Sequence, residues 1–128
     1  MYTNIDINDS IKRISTFLAE TWDNYDCKAV KEAMENVMKN NRMRFGDLIY
    51  HQIHGIAMGM SPAPTIANLY VMIYECNHNI PLVGVKYLLF YKRFIDDGFA
   101  AWLHDKDPTT NASNWNNFKA CINAMGLN

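Results

Sequence analysis

The stretch Tyr91–Phe99 reads YKRFIDDGF, and it decides how the fold is interpreted. A long apolar run ends here in two adjacent aspartates, Asp96 and Asp97, followed by a glycine. An Asp-Gly pair between two hydrophobic runs is a strong signal for a β-hairpin turn. We therefore predict a strand over Tyr87–Ile95, an antiparallel partner over Phe99–Leu103, and the two carboxylates at the tip between them.

The two adjacent carboxylates allow two interpretations. The first is a polar hairpin turn with no further role, although two negative charges this close repel one another. The second is a cation site, because a bound divalent ion stabilises both anions and carboxylate oxygens suit Mg²⁺. The nine residues alone leave both interpretations open.

Composition limits the classes of protein to consider. The 128 residues suffice for one domain with a modest core, and the hydrophobic content of 49% with 20% charged residues is typical of a globular chain. Three scattered cysteines indicate no disulfide framework and fit a reducing compartment. We expect neither a secretory signal nor a membrane span. A net charge of −1 counts against a module that binds nucleic acid by bulk electrostatics.

Apolar periodicity predicts most of the remaining elements. Residues spaced by about 3.6 predict helices over 7–21 and 27–40. A hairpin is predicted within Arg42–Ile53, turning at Gly46-Asp47. A loop over His54–Ser61 then leads into a helix that starts at the Ser-Pro and runs to about residue 78, because prolines suit a first helical turn.

The last part of the chain is predicted from the same signals. Asn79–Gly84 is a connection, and the polar stretch Asp105–Asn111 is predicted to precede a final helix that contains Trp115, Phe118, Ile122 and Met125. The order of elements predicts an α+β fold with an antiparallel sheet covered on one face.

A second informative segment, Gln52–Asn68, reads QIHGIAMGMSPAPTIAN. Its paired glycines let a backbone come close to a flat or bulky ligand. The Ser-Pro helix start presents free N–H groups and the positive end of a helix dipole. An ordinary structural loop is the alternative, as for any isolated motif.

Together, the two segments resemble the palm of a reverse transcriptase, most closely that of the Penelope-like elements. The glycine loop, the Ser-Pro helix and the strand that ends in Asp-Asp occur in the family's order. Ala57-Met58-Gly59 is similar to the Penelope-like loop, whereas many other reverse transcriptases have Pro-Gln-Gly there. Glu75 also matches that group. Phe94 departs from the family's tyrosine before the aspartates. Met1–Ile5 resembles the tail of the family's first aspartate motif.

The resemblance implies that residues 1–128 are a partial palm domain. Its fold would be α+β, with a palm-like antiparallel sheet of two hairpins packed on helices and incomplete at both ends. The implied activity is RNA-directed DNA polymerisation by two-metal transfer of a nucleotide to a primer 3′-hydroxyl, with Mg²⁺ as the cofactor and Mn²⁺ as a substitute. The implied partners are an RNA template, a DNA primer and dNTPs, in an intracellular and, for a eukaryotic element, nuclear location.

The resemblance also assigns roles to individual residues. Asp96 and Asp97 would be the catalytic metal ligands. The nucleotide would meet three residues, namely Tyr2, Met58 and Gly59. Template and primer would meet four others, namely Gln52, Lys92, Arg93 and Phe94. For Lys92 and Arg93 a strand-end salt bridge is an equal alternative.

One further family aspartate would lie just before Met1, so we expect these residues alone to be inactive. Two alternatives stay open. One is a non-catalytic relic of a mobile element, and the other is the palm of a group II intron, retron or telomerase-type enzyme.

Overall fold

The computed structural model describes residues 2–22, 26–78 and 86–124. Within these ranges the chain forms four α-helices and two separate two-stranded antiparallel sheets, so the predicted α+β class is confirmed. The chain divides into two compact units, residues 1–73 and residues 74–128. The predicted connection Asn79–Gly84, together with Met1 and Met125, lies outside the described residues.

Two amphipathic helices begin the first unit after a short 3-10 turn. Helix α1 spans Ile7–Thr21 and helix α2 spans Cys27–Lys39, which confirms the two predicted helices. The carboxylates of Asp6 and Asp26 cap them by accepting the backbone N–H of the third residue on, at 2.7 and 3.0 Å. Such caps satisfy N–H groups that a helix leaves unpaired at its start.

The core of the first unit follows from the apolar stripes of these helices. The buried apolar side chains of α1 and α2 recur at helical spacing and are Ile7, Ile11, Ile14, Leu18, Met34 and Met38. Residues on one face of each helix must be apolar for the helices to pack and exclude water. The observed core therefore matches the apolar periodicity of the sequence.

A hairpin and a long helix complete this part of the chain. Strand β1 spans Arg42–Phe45, strand β2 spans Leu48–His51, and they turn at Gly46-Asp47 as predicted. Every residue of the two strands is exposed. Helix α3 spans Ala63–Asn77 with Pro64 in its first turn, so its last turn falls in the second unit.

The second unit contains a hairpin and the final helix. Strand β3 spans Leu88–Phe94 and strand β4 spans Asp97–Trp102, with Phe94 paired to Asp97. The turn is therefore Ile95-Asp96 rather than the predicted Asp-Gly pair. Gly98 lies within β4 opposite Arg93, where pairing of the strands has already begun.

Helix α4 spans Pro108–Asn123 and begins earlier than predicted. The Asp107 carboxylate caps it by accepting the N–H of Thr110 at 2.9 Å. An aspartate followed by proline is a helix start signal, since the proline needs no partner for its nitrogen. The polar stretch 105–111 is predicted to precede the helix because it lacks apolar residues, yet its second half is the first turn of the helix.

An aromatic cluster joins β3, β4 and α4 within the second unit. The Trp102 ring lies 5.2 Å from Trp115 and 5.5 Å from Phe118 between ring centroids, and the Tyr91 ring lies 6.2 Å from Phe118. Phe118 is buried, so these rings form the small core on which the hairpin rests. None of the helices in the described ranges combines the length and apolar character needed to cross a membrane.

Candidate active site

The turn between β3 and β4 carries the candidate catalytic residues in an unusual backbone conformation. Ile95 has a φ of 55°, and among the described non-glycine residues it alone has a positive φ. A two-residue turn with positive φ at its first position and negative φ at its second has the φ pattern of type II′. Glycine is the residue that normally occupies this first position.

An isoleucine at positive φ is strained. Its β-branched side chain crowds the backbone in the left-handed region, which makes it a genuine outlier. Such outliers persist only where the surrounding structure imposes them, and they concentrate at functional sites. The observation therefore marks this turn as a candidate site.

Asp96 and Asp97 occupy the turn and the first position of β4. Both are exposed, and Asp97 pairs with Phe94 across the hairpin. Their oxygens are hard donors that suit Mg²⁺, so the two side chains fit the ion by chemistry. Within the described ranges, no group of three or more histidine, cysteine, aspartate or glutamate side chains could hold a metal ion. An ion held by these two side chains would need further ligands.

Lys92 and Arg93 are adjacent in the sequence, but their side chains lie on opposite faces of the hairpin. Alternate residues of a strand point to opposite faces. Lys92 and Phe94 are exposed, and because Phe94 pairs with Asp97, their face is the one that carries Asp97. Arg93 faces the other way and is half-buried. Of the two cations, Lys92 is the one that remains open to a phosphate.

Arg93 is held by a hydrogen-bonded network. Its Nε donates to Glu75 Oε1 at 2.9 Å, and its Nη1 donates to the carbonyl oxygen of Ile95 at 2.8 Å. Only 13% of the Arg93 side chain and 12% of the Glu75 side chain are exposed. The salt bridge that the sequence allowed for Arg93 is therefore present, with Glu75 at the end of α3 as its partner.

Tyr91 completes this network. Its hydroxyl donates to Glu75 Oε1 at 2.9 Å, so one carboxylate oxygen accepts from both Tyr91 and Arg93. Burial, then the hydrogen bond and charge of Glu75, raise the pKa of Tyr91 to about 12. The phenol stays protonated and continues to donate at any physiological pH.

The glycine loop of the first unit contacts the segment at the beginning of the chain. The backbone N–H of Ile56 donates to the carbonyl of Tyr2 at 2.8 Å. Gly55 has a φ of +74°, and a Cβ there would lie 2.7 Å from the carbonyl oxygen of Thr3. Glycine is required at this position because the two backbones meet where a side chain would stand. The two segments that carry the resemblance in this unit are thus neighbours.

The other predicted residues of this unit take different positions. Gln52 is half-buried and its side-chain amide donates to the carbonyl of His54 at 2.9 Å, so it supports the loop. Met58 is 74% exposed, and Gly59 has a φ of +95° with open space where a Cβ would be. Half-buried Tyr2 lies in the 3-10 turn Tyr2–Asn4. A predicted contact with template or nucleotide remains a prediction for each of them.

Sequence reasoning missed the part that Glu75 plays. It matched Glu75 to a family pattern but assigned it no partner. A signal existed, because the two-residue period of β3 puts Arg93 on the same face as Tyr91. A cation on a covered strand face needs an anion, and Glu75 is that anion.

Comparison with protein-family models, with curated proteins and with solved structures yields no match for this chain.

Proposed function

We propose that this chain is part of the palm of an RNA-directed DNA polymerase, most similar to those of the Penelope-like elements. The parent enzyme would transfer a nucleotide from a dNTP to a primer 3′-hydroxyl on an RNA template. Asp96 and Asp97 would hold Mg²⁺, with Mn²⁺ as a substitute. The two hairpins would belong to the palm-like antiparallel sheet of that enzyme, which is packed on helices.

One observation carries the proposal, namely the strained two-residue turn that bears Asp96 and starts β4 at Asp97. A turn with no role would place glycine or asparagine at its first position, where this chain has Ile95. Strain that is retained next to two exposed carboxylates favours a functional site over a simple connection.

The first unit supports the proposal independently. The close approach of Gly55 to Thr3 joins the glycine loop to the segment that resembles the family's first aspartate motif. In the proposed enzyme these segments bear Tyr2, Met58 and Gly59, which would meet the nucleotide. Exposure of Met58 and open space at Gly59 leave room for such a ligand.

The residues of the β3–β4 hairpin would have separate roles. Asp96 and Asp97 would hold the metal, which when bound activates the attacking hydroxyl and neutralises phosphate charge. Lys92 would meet primer phosphates through its exposed ammonium, and Phe94 would contact the primer or template strand from the same face. A third carboxylate is expected from the resemblance, so binding rather than turnover is the property to measure.

The test is a Mn²⁺ titration of the full 128-residue chain, followed by electron paramagnetic resonance and by broadening of backbone amide signals. We expect saturable binding with the strongest broadening at Asp96 and Asp97. Asp96→Asn and Asp97→Asn are each expected to weaken binding at least roughly tenfold, because each removes a charged ligand from a site that has few.

A matched control is available on the other hairpin. Asp47 is also a turn aspartate, and its side chain is fully exposed. Asp47→Asn should leave the Mn²⁺ affinity unchanged. Equal affinity in the native chain and in both Asp96→Asn and Asp97→Asn would contradict the proposal and favour the non-catalytic relic.

A further inference from the structure

Arg93 connects a distant helix to the turn that carries the carboxylates. One planar guanidinium donates from Nε to Glu75 and from Nη1 to the carbonyl oxygen of Ile95. Both distances, 2.9 and 2.8 Å, are those of well-formed hydrogen bonds. The Glu75 carboxylate is itself held by the hydroxyl of Tyr91.

The Ile95 carbonyl is the atom whose direction defines the turn. Phe94 and Asp97 are the last paired residues, so the hairpin ladder offers no cross-strand partner to the turn residues Ile95 and Asp96. Rotation of Ile95 from its positive φ of 55° to an ordinary negative φ would change the direction in which this carbonyl points. A donor fixed to the Ile95 carbonyl therefore selects one orientation.

Arginine suits this task better than lysine. Its donors lie in one rigid plane, so fixing Nε on Glu75 also fixes where Nη1 points. A lysine ammonium is a single point on a flexible stem and cannot transmit orientation in this way. Burial of the Arg93–Glu75 pair is weak support for stability, because removing both charges from water is costly, and a role in conformational specificity explains the pair better.

We propose that Arg93, anchored by Glu75, is a positioning residue that holds the Ile95-Asp96 turn in its strained conformation. Arg93 thereby determines the positions at which Asp96 and Asp97 meet a divalent cation. This second part of the role rests on the proposed function. The part that concerns the turn conformation depends on the hydrogen bonds alone.

The conformation can be read directly from an isotope-labelled full-length chain. A residue at positive φ brings its own amide and α hydrogens close, so Ile95 should show a strong intraresidue HN–Hα NOE. Arg93→Lys keeps the charge but loses the rigid fork. We expect this variant to lose the strong NOE and to bind Mn²⁺ roughly 10- to 100-fold more weakly, as when a group that orients a metal ligand is removed.

Arg44→Lys is the matched control. Arg44 makes the same kind of contact in the other hairpin, where its Nε donates to the carbonyl oxygen of Gly46 at 2.8 Å. The substitution is chemically the same, but it leaves Arg93 and its bond to the Ile95 carbonyl in place. We expect this variant to keep the Ile95 NOE and the Mn²⁺ affinity. A loss of Mn²⁺ affinity in Arg44→Lys equal to that in Arg93→Lys would overturn the positioning role, because the effect would then not depend on the Ile95-Asp96 turn.

The remaining outcomes separate the inference from the proposed function. A strong Ile95 NOE that persists in Arg93→Lys overturns the inference, whatever the native chain binds. If Arg93→Lys loses the NOE and the native chain does not bind Mn²⁺ at Asp96 and Asp97, the positioning of the turn by Arg93 is supported and the proposed function is overturned. Should Arg93→Lys fail to fold, Glu75→Gln gives the same readout, because it removes the charge that anchors Arg93.

Discussion

At the scale of single residues, Ile95 is the position where local preference and observed conformation conflict. A non-glycine residue in the left-handed region costs about 1–2 kcal/mol, and backbone strain of this kind about 1–3 kcal/mol. A hydrogen bond to a charged group contributes roughly 1.5–3 kcal/mol, so the bond from Arg93 is large enough to offset the strain. The two effects are matched in size, which explains how the turn persists.

The strain leads to a prediction for two substitutions of Ile95. Both Ile95→Gly and Ile95→Ala remove the side chain, but only glycine accepts a positive φ without cost. We expect Ile95→Gly to be more stable than Ile95→Ala by about 1 kcal/mol. Urea unfolding followed by tryptophan fluorescence measures the difference, since Trp102 and Trp115 lie in the same unit.

Ile49 offers the control for this pair. It is exposed in strand β2, where φ is ordinary and glycine weakens the strand. Ile49→Gly should therefore be less stable than Ile49→Ala. The same order at position 95 would show that the turn is not strained.

At the scale of elements, a polar cluster ties α1 to α3 in the first unit. The hydroxyl of Tyr70 donates to Asp9 Oδ2 at 2.7 Å, and Arg13 Nε donates to the same oxygen at 2.7 Å. Burial by itself would raise the pKa of Asp9, but the hydrogen bonds from Tyr70 and Arg13 and the charge of Arg13 outweigh it and lower the pKa. Burial and the neighbouring Asp9 raise the pKa of Tyr70 to about 12.

The lowered pKa of Asp9 gives a pH dependence with a definite sign. An aspartate whose pKa is lower in the folded state stabilises it above the unfolded pKa of about 3.9, and this stability is lost as the pH falls through the folded value. We expect Tyr70→Phe to cost about 1 kcal/mol at pH 7 and less as the pH falls below 4. Urea unfolding between pH 3 and pH 7 tests this.

Tyr74→Phe is the corresponding control. The Tyr74 hydroxyl donates to the neutral backbone carbonyl of Cys121 at 3.5 Å, so its removal should cost a similar amount at every pH in that range. A cost of Tyr70→Phe that stayed constant with pH would mean that Asp9 is not the group responsible.

At the scale of the whole molecule, contacts between distant segments decide where the candidate residues lie. Gly55 and Thr3 are far apart in sequence, yet their backbones meet at a distance that leaves no room for a side chain. In the second unit, Glu75 at the end of α3 reaches Arg93 on β3. Within each unit, one local motif and one long-range contact determine where the candidate residues lie.

The first of these contacts predicts a large effect of one methyl group. In Gly55→Ala the new Cβ would lie 2.7 and 2.8 Å from backbone atoms of Thr3. We expect a loss of roughly 3 kcal/mol, from overpacking as well as from the positive φ. Urea unfolding followed by far-ultraviolet circular dichroism measures it through α1 and α2.

Gly46→Ala isolates the contribution of the backbone conformation. Gly46 has a φ of +61°, but nothing lies within 4 Å of where its Cβ would be. This variant should lose only about 1 kcal/mol. Equal losses at positions 46 and 55 would contradict the close approach to Thr3.

The sequence by itself determined the local elements of this protein. Helices α1, α2 and α3, the hairpin at Gly46-Asp47 and the α+β class follow from apolar periodicity and turn residues, which act over a few neighbouring positions. The start of α4 was also encoded locally, in Asp107 and Pro108, but the lack of apolar residues there hid it.

The tertiary structure decided what those local signals could not. Local rules favour the turn at Asp97-Gly98, but the two strands pair as far as Phe94 and Asp97, which leaves Ile95-Asp96 as the turn. Likewise, no spacing rule connects Arg93 to Glu75 or Gly55 to Thr3. The reason is that packing and buried hydrogen bonds act between residues that are near in space, whatever their distance in sequence. Their contribution to the stability of the fold exceeds the preference of a residue for one turn conformation.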